Sequence, residues 1–294
     1  MKKLWSALAA TAMLAVSLAG CNSEVTGTSS AGSESKGGSS TGTTAAEKLT
    51  GKLVMTGSTS MEAVCSALNE AFGEKNPDLK IDLQYGGSGA AITALDNGSA
   101  QIGNLSRAVK DSENAEGKYE AITIALDGIA VVVNPDNTVA DLTIEDLAAI
   151  FKKEKTNWKD FGGPDETIVV IGRESGSGTR DGFEDIVKVK DACQYDTNID
   201  STGGVVAKVA SEKAAIGYVS YASVSKEVKA LKVGGVEASE STIADGSYAL
   251  QRPFVHAYKK GTKDPNVLAY LEFLKSDEAQ QLIKDEHLVP QKFW

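Results

Sequence analysis

The stretch Thr167-Ile168-Val169-Val170-Ile171-Gly172-Arg173-Glu174-Ser175-Gly176-Ser177-Gly178-Thr179-Arg180 decides how this chain is read. Its first five residues form a β-branched run that predicts a buried strand. The segment that follows, Asp181-Gly182-Phe183-Glu184-Asp185-Ile186-Val187, spaces its apolar residues as the opening turns of a helix. The glycine-rich piece between them is therefore a strand-to-helix turn whose backbone N–H groups can converge on one point. Free N–H groups at a helix start, with the helix dipole behind them, bind anions. Ser177 and Thr179 add hydroxyl donors, and Arg173 adds a fixed charge with forked donor geometry. The turn reads as a socket for a small oxyanion.

Nucleotide-binding turns use different spacings. A P-loop requires a Lys after its glycines, and none follows here. A dinucleotide fingerprint requires a third small residue where Asp181 stands. The plain alternative is a Ser/Gly turn with Arg173 on the surface.

Working outward, the same strand–hydroxyl loop–helix unit recurs. Lys52–Met55 reads as a strand, Thr56-Gly57-Ser58-Thr59-Ser60 as its turn, and Met61, Val64, Cys65, Leu68, Ala71 and Phe72 as one helix face ended by Pro77. Lys80–Tyr85 alternates as a strand before Gly86-Gly87-Ser88-Gly89-Ala90-Ala91 opens another helix. Short strands follow at Ser99–Gly103, leading into Asn104-Leu105-Ser106-Arg107, and at Tyr119–Ala125. Asp127 then leads into the apolar run Gly128–Pro135. A helix over Leu142–Phe151 has Thr143 as its cap. Later come Ser201-Thr202-Gly203-Gly204, a helix over Val205–Ser211, a strand over Ala215–Val219 and an extended return over Leu250–Lys259. Helices over Val267–Leu274 and Asp277–Lys284 complete the chain. Strands alternating with helices predict an α/β fold with mostly parallel sheet, and ligands in such sheets sit at the carboxyl ends of strands. Three hydroxyl-rich loops fall at such ends.

The first twenty residues read as a signal peptide. Met1-Lys2-Lys3 is the positive start, Leu4–Leu18 is apolar but short for a span, and Leu18-Ala19-Gly20-Cys21 has the form of a bacterial lipobox with Cys21 as the lipidated residue. More than one acyl chain gives stable anchoring, each buried CH₂ contributing about 0.8 kcal/mol. Ser, Gly and Thr dominate from Asn22 to Glu47, the composition of a flexible tether reaching roughly 30 Å. Roughly 245 residues then remain, enough for one large or two moderate domains. The formal charge is −10, and loss of Lys2 and Lys3 makes the chain more acidic still. That argues against nucleic acid or an anionic membrane surface as the main partner, leaving local donors to bind an anion. Cys65 and Cys193 are expected to be free thiols, and His256 and His287 lack metal-site spacing, so neither metal nor cofactor is expected.

Gly57-Ser58-Thr59-Ser60-Met61, Gly86-Gly87-Ser88-Gly89, Asp127–Pro135 and Arg173–Thr179 together resemble the phosphate-binding proteins of high-affinity phosphate ABC importers, over nearly the whole chain after the tether. The resemblance implies a two-lobed periplasmic-binding-protein clamp, each lobe a mixed, mostly parallel sheet flanked by helices, with two crossing segments as hinge. With the signal peptide read above over 1–20 and the lipid-anchored linker over 21–48, the two lobes are expected at 49–130 plus 251–294 and at 131–250. It also implies a monomer that holds phosphate between its lobes and hands it to a transmembrane permease. Carried over by position, Thr59, Ser60 and Ser88 donate from the first lobe, and Arg173, Ser177, Gly178 and Thr179 from the second.

Two departures stand out. After Ser106 the better-known members place a carboxylate that accepts a hydrogen bond from protonated phosphate; here Arg107 stands there. Where those members have an Asp pairing with the ligand Arg, this chain has Ser175. A carboxylate acceptor favours phosphate, which keeps a proton near neutral pH, over sulfate, which keeps none. Asp127 is the candidate replacement, its plain alternative being a cap or turn residue. Arg107 either adds charge to the site or pairs with an acidic neighbour. Three competing classes stay open. One is a binder of another tetrahedral anion such as sulfate, molybdate or tungstate. The second is a serine hydrolase, since Gly86–Ala90 nearly copies a nucleophile elbow and would need His256 or His287. The third is a tethered adhesin or sensor.

Overall fold

The computed structural model describes residues 48–294, so the predicted signal peptide, Cys21 and almost all of the tether lie outside the described residues. Among the described residues no helix is long and apolar enough to cross a membrane.

Strand β1 (Gly51–Gly57) runs through a short 3-10 turn, Thr59–Met61, into helix α1 (Glu62–Lys75), and β2 (Leu79–Tyr85) feeds α2 (Gly87–Asn97). Then come β3 (Ile102–Leu105), the long β4 (Tyr119–Val133), β5 (Asp141–Leu142) and α3 (Ile144–Phe151). The central unit is β6 (Val169–Arg173) and α4 (Gly178–Val187), followed by β7 (Thr197–Ile199), α5 (Thr202–Ser211) and β8 (Ala215–Ser220). Two short strands, β9 (Lys229–Ala230) and β10 (Lys232–Val233), precede α6 (Glu240–Ala244). The return strand β11 (Gln251–Lys259), α7 (Pro265–Phe273), α8 (Asp277–Asp285) and β12 (Val289–Pro290) end the chain.

The main sheet has the order β2-β1-β3-β11-β4-β8-β6-β7. It is parallel toward its outer ends, where β1 pairs with β2 and β3, and β6 with β7 and β8. It is antiparallel in the middle, where β11 and β4 return. β4 is the element both lobes share. Its first ten residues, Tyr119–Gly128, lie opposite β11, and Ile129–Val133 lie opposite β8. The two segments read separately from sequence, Tyr119–Ala125 and Gly128–Pro135, are thus one strand with Asp127 in its interior. The second crossing lies beside the first, where the Ile129 N–H donates to the Leu250 carbonyl at 2.6 Å.

Each lobe covers both faces of its sheet, which is why strands such as Ala215–Ser220 are buried without alternation. In the first lobe Leu53, Met55, Leu68, Phe72, Tyr270 and Ile283 pack on one face, and Ala91, Leu95, Leu105 and Val255 on the other. In the second, Ile129, Val131 and Val133 of β4 face Phe151, Phe183 and Tyr218, while Ala130 and Val132 face Val205 and Val209. Burying a side chain of this size contributes about 1.5–3 kcal/mol. Caps set several helix starts. Thr143 makes a capping box with Asp146, Ser201 caps α5, and Asp264 caps α7 ahead of Pro265. Cys65 is buried and Cys193 half-buried, and both are free.

Candidate anion site between the lobes

Ser177 decides the geometry of the central turn. Its Oγ accepts from the Arg180 N–H, so α4 begins at Gly178, three residues earlier than its apolar spacing suggests. Gly178 and Thr179 therefore occupy the first turn, where N–H groups have no intrahelical acceptor. Gly176, with φ +90°, turns the chain between strand and helix in the left-handed region that glycine adopts without strain. Its carbonyl accepts from the Gly89 N–H of the other lobe at 2.9 Å.

Four helix starts meet here. The turn before α1 carries Ser58, Thr59 and Ser60; the others are the starts of α2 with Ser88, α4 with Thr179, and α5 with Thr202. Ser60 Oγ lies 2.8 Å from Thr179 Oγ1 and 3.0 Å from Thr202 Oγ1. Thr59 Oγ1 lies 3.1 Å from Thr202 Oγ1 and accepts from the Thr202 N–H. Ser58 Oγ donates to Ser106 Oγ at 2.8 Å, and the Ser106 N–H donates to Ser88 Oγ at 3.1 Å. A Cβ on Gly178 would sit 2.3 Å from Ser88 Oγ and 2.6 Å from Ser106 Oγ, so only glycine admits this approach. Ser88, Ser106 and Thr179 have no exposed surface.

Arg173 is the cation of this ring, and only 1% of it is exposed. Its Nε and Nη2 donate to the two Glu174 carboxylate oxygens at 2.8 and 3.0 Å, a forked pair. Nη1 donates to Thr202 and Nη2 to Thr59. The partner missing at Ser175 is therefore supplied one residue earlier by Glu174. Behind the arginine, Arg180 Nη1 donates to the Arg173 carbonyl while Arg180 Nε is held by Glu184, which also accepts from Tyr195.

The structure thus brings together Thr59, Ser60, Ser88, Ser106, Arg173, Ser177, Gly178 and Thr179. It corrects two assignments. Asp127 is wholly buried in β4 and committed elsewhere: Oδ2 accepts from Arg252 Nε and Nη2 at 3.0 and 2.9 Å, and Oδ1 accepts from Ser220 Oγ at 2.8 Å. Burial pushes its carboxyl pKa up, while Arg252 and Ser220 pull it down. It is a hinge-strand ion pair with no exposed surface, its two oxygens engaged by Arg252 and Ser220 rather than by any group of the hydroxyl ring. Arg107 is also occupied, by Glu113, Asp181 and the Ala108 carbonyl, so of its two readings the acidic-neighbour one holds and its assignment as an anion contact falls.

Ser58, Thr202 and Glu174 complete the ring and lie outside the contacts expected from sequence. Thr202 was legible in kind, since Ser201-Thr202-Gly203-Gly204 repeats the hydroxyl–glycine signal before a helix. Neither histidine meets Ser88. His256 lies wholly buried at 5.8 Å from the Tyr270 ring, and His287 pairs with Glu240.

Comparison with known proteins agrees with this geometry. Residues 38–278 match the PBP superfamily domain. The phosphate-binding protein PstS of Bacillus subtilis (strain 168) is 33% identical over 262 residues, covering 87% of this chain and 86% of that protein. PstS of Staphylococcus epidermidis RP62A is also 33% identical, covering 83% and 80%. Among solved structures, a phosphate ABC transporter substrate-binding protein with bound phosphate from Clostridium perfringens superposes with a TM-score of 0.78 at 37% identity, covering 82% of this chain and 100% of that one. An ABC-type phosphate transport receptor from Vibrio cholerae gives 0.70 at 33% identity, covering 81% and 100%. By its family match, its relatives and the ring of donors that its two lobes build around one arginine, the chain belongs to the PBP superfamily, among its phosphate-binding proteins.

Proposed function

We propose that this protein is an extracytoplasmic solute-binding lipoprotein that captures inorganic phosphate between its two lobes and delivers it to the permease of an ABC importer. One observation carries the reading. A buried arginine and the hydroxyls of four helix starts, drawn from both lobes, converge where the lobes meet. Such donors suit an anion with several oxygens in different directions. We assign lobe 1 to 49–130 plus 251–294 and lobe 2 to 131–250, a division supported by the change of β4 from β11 to β8 between Gly128 and Ile129. Thr59, Ser60, Ser88, Ser106, Arg173, Ser177, Gly178 and Thr179 are the proposed contacts, joined by Ser58 and Thr202.

The protein acts by binding rather than by catalysis, and works as a monomer anchored through Cys21. Calorimetric titration of the purified protein with phosphate, sulfate and molybdate tests the assignment. One-site binding of phosphate is expected, and binding of molybdate with no response to phosphate would overturn it.

A further inference from the structure

Beside the hydroxyl ring lies a second, purely ionic junction between the lobes. Arg107 belongs to the loop after β3, in the first lobe, and Asp181 to the first turn of α4, in the second. Arg107 Nε donates to Asp181 Oδ2 at 2.8 Å, and Lys110 Nζ reaches the same oxygen at 2.7 Å. The rest of the Arg107 guanidinium is fixed within its own lobe, Nη1 and Nη2 forking onto Glu113 at 2.8 and 2.7 Å. The side chains of Arg107, Glu113 and Asp181 are 8, 18 and 19% exposed, so this is not a loose surface pair. None of the four side chains hydrogen-bonds a hydroxyl of the ring. The backbone couplings are nevertheless direct, because Arg107 follows Ser106 and Asp181 lies two residues after Thr179.

We propose that Arg107, Lys110 and Asp181 form an inter-lobe clasp that favours the shut clamp with or without the anion. Arg107 and Asp181 are then positioning residues that set how long the anion stays, and they do not touch it. The proposal rests on the anion-binding reading above. In the opened clamp Arg107 and Lys110 leave with the first lobe, and Asp181 loses both cations. The clasp therefore adds to the barrier for opening and acts on dissociation. Partial burial keeps salt from screening it fully, though a measurable salt dependence remains.

Charge sign makes the test sharp. If Asp181 acted on the anion directly, removing its negative charge would tighten binding. As a clasp residue, its neutralisation weakens binding. The experiment is stopped-flow phosphate dissociation from the parent protein, Asp181→Asn, Arg107→Gln, the double variant and Lys110→Gln, with thermal melts as the folding control. Asp181→Asn and Arg107→Gln should each raise koff about tenfold, with the double variant little worse than the worse single, because both remove the Arg107–Asp181 contact. Lys110→Gln, at a more exposed position, should raise it about threefold. Koff of the parent should rise with NaCl more steeply than that of Asp181→Asn. An Asp181→Asn protein that melts normally and binds phosphate as tightly as the parent, or tighter, overturns the clasp. Small-angle scattering supplies a readout that needs no ligand: Asp181→Asn should show a larger radius of gyration than the parent, and equal radii overturn the proposal. A parent that binds no phosphate would instead sink the anion reading and leave the scattering comparison to decide the clasp.

Discussion

Replacing Arg173 by alanine removes more than a pair of donors, because it also strips Glu174 of its partner. The arginine is held by a fork to both Glu174 oxygens, and its remaining donors point to Thr59 and Thr202 at the lobe junction. Charge-assisted hydrogen bonds to an anion are worth about 1.5–3 kcal/mol each, so a forked contact contributes about 3–6. In Arg173→Ala the Glu174 carboxylate then stands uncompensated near the anion. At a separation of about 6 Å and an effective dielectric of about 20 the repulsion approaches 3 kcal/mol, and partial exposure of Glu174 reduces it to about 2. Phosphate affinity should fall at least about a thousandfold. The structure predicts in addition a partial rescue. Adding Glu174→Gln to Arg173→Ala should recover about 30-fold, the equivalent of about 2 kcal/mol. Arg173→Lys should lie between parent and alanine, since an ammonium keeps the charge and cannot reproduce the fork. Calorimetry on the parent and these variants decides it. Parental affinity in Arg173→Ala would remove the arginine from the site, and a double variant no better than the single would refute the role given to Glu174.

Asp127→Asn should cost about 3–5 kcal/mol of stability in a denaturant titration, because it leaves the buried Arg252 charge unpaired, while the phosphate-to-sulfate affinity ratio should stay at the parental value; a changed ratio at unchanged stability would restore Asp127 as a ligand contact. His256 is held neutral by burial, its pKa pushed down from 6.5 to about 3, so the unfolded chain binds the extra proton in that window. Its contribution is fully present above pH 6.5 and is lost as pH falls, by about 1.4 kcal/mol per unit down to about 3. His256→Gln should flatten that slope in melts taken between pH 6.5 and 4, and an unchanged slope would contradict the assignment. Cys21→Ser should release the protein from the membrane with its melting temperature unchanged, and continued fractionation with membranes would show another anchor.

Much of the architecture is written in local pattern. β-Branched runs such as Thr167–Ile171, helical spacing such as Val64, Cys65, Leu68 and Phe72, and hydroxyl–glycine turns before helices depend on residues near one another in the chain. For that reason most of the longer strands, most helices and the donor loops at Ser60, Ser88 and Arg173 could be placed from sequence alone, while two- and three-residue strands such as β5, β7 and β12 carry too little pattern to be read. Which carboxylate meets which arginine is a different kind of fact. Arg107 and Asp181 are 74 residues apart and Asp127 and Arg252 are 125 apart, and nothing in either local pattern encodes the partner. Burial also reversed the reading of Asp127. Beside a hinge it looked like a free acceptor, yet a carboxylate wholly inside β4 must have its charge balanced there, and the antiparallel register sets Arg252 directly opposite it. Thr202 joined the site for the same reason, because only the crossing of β4 and β11 brings the start of α5 against the loop after β1. Sequence by itself determined that this chain would build oxyanion-binding turns on an α/β frame. The tertiary structure alone decided which charges face the anion and which spend themselves on one another, since ion pairing in a folded chain follows distance in space and exclusion of water rather than distance along the backbone.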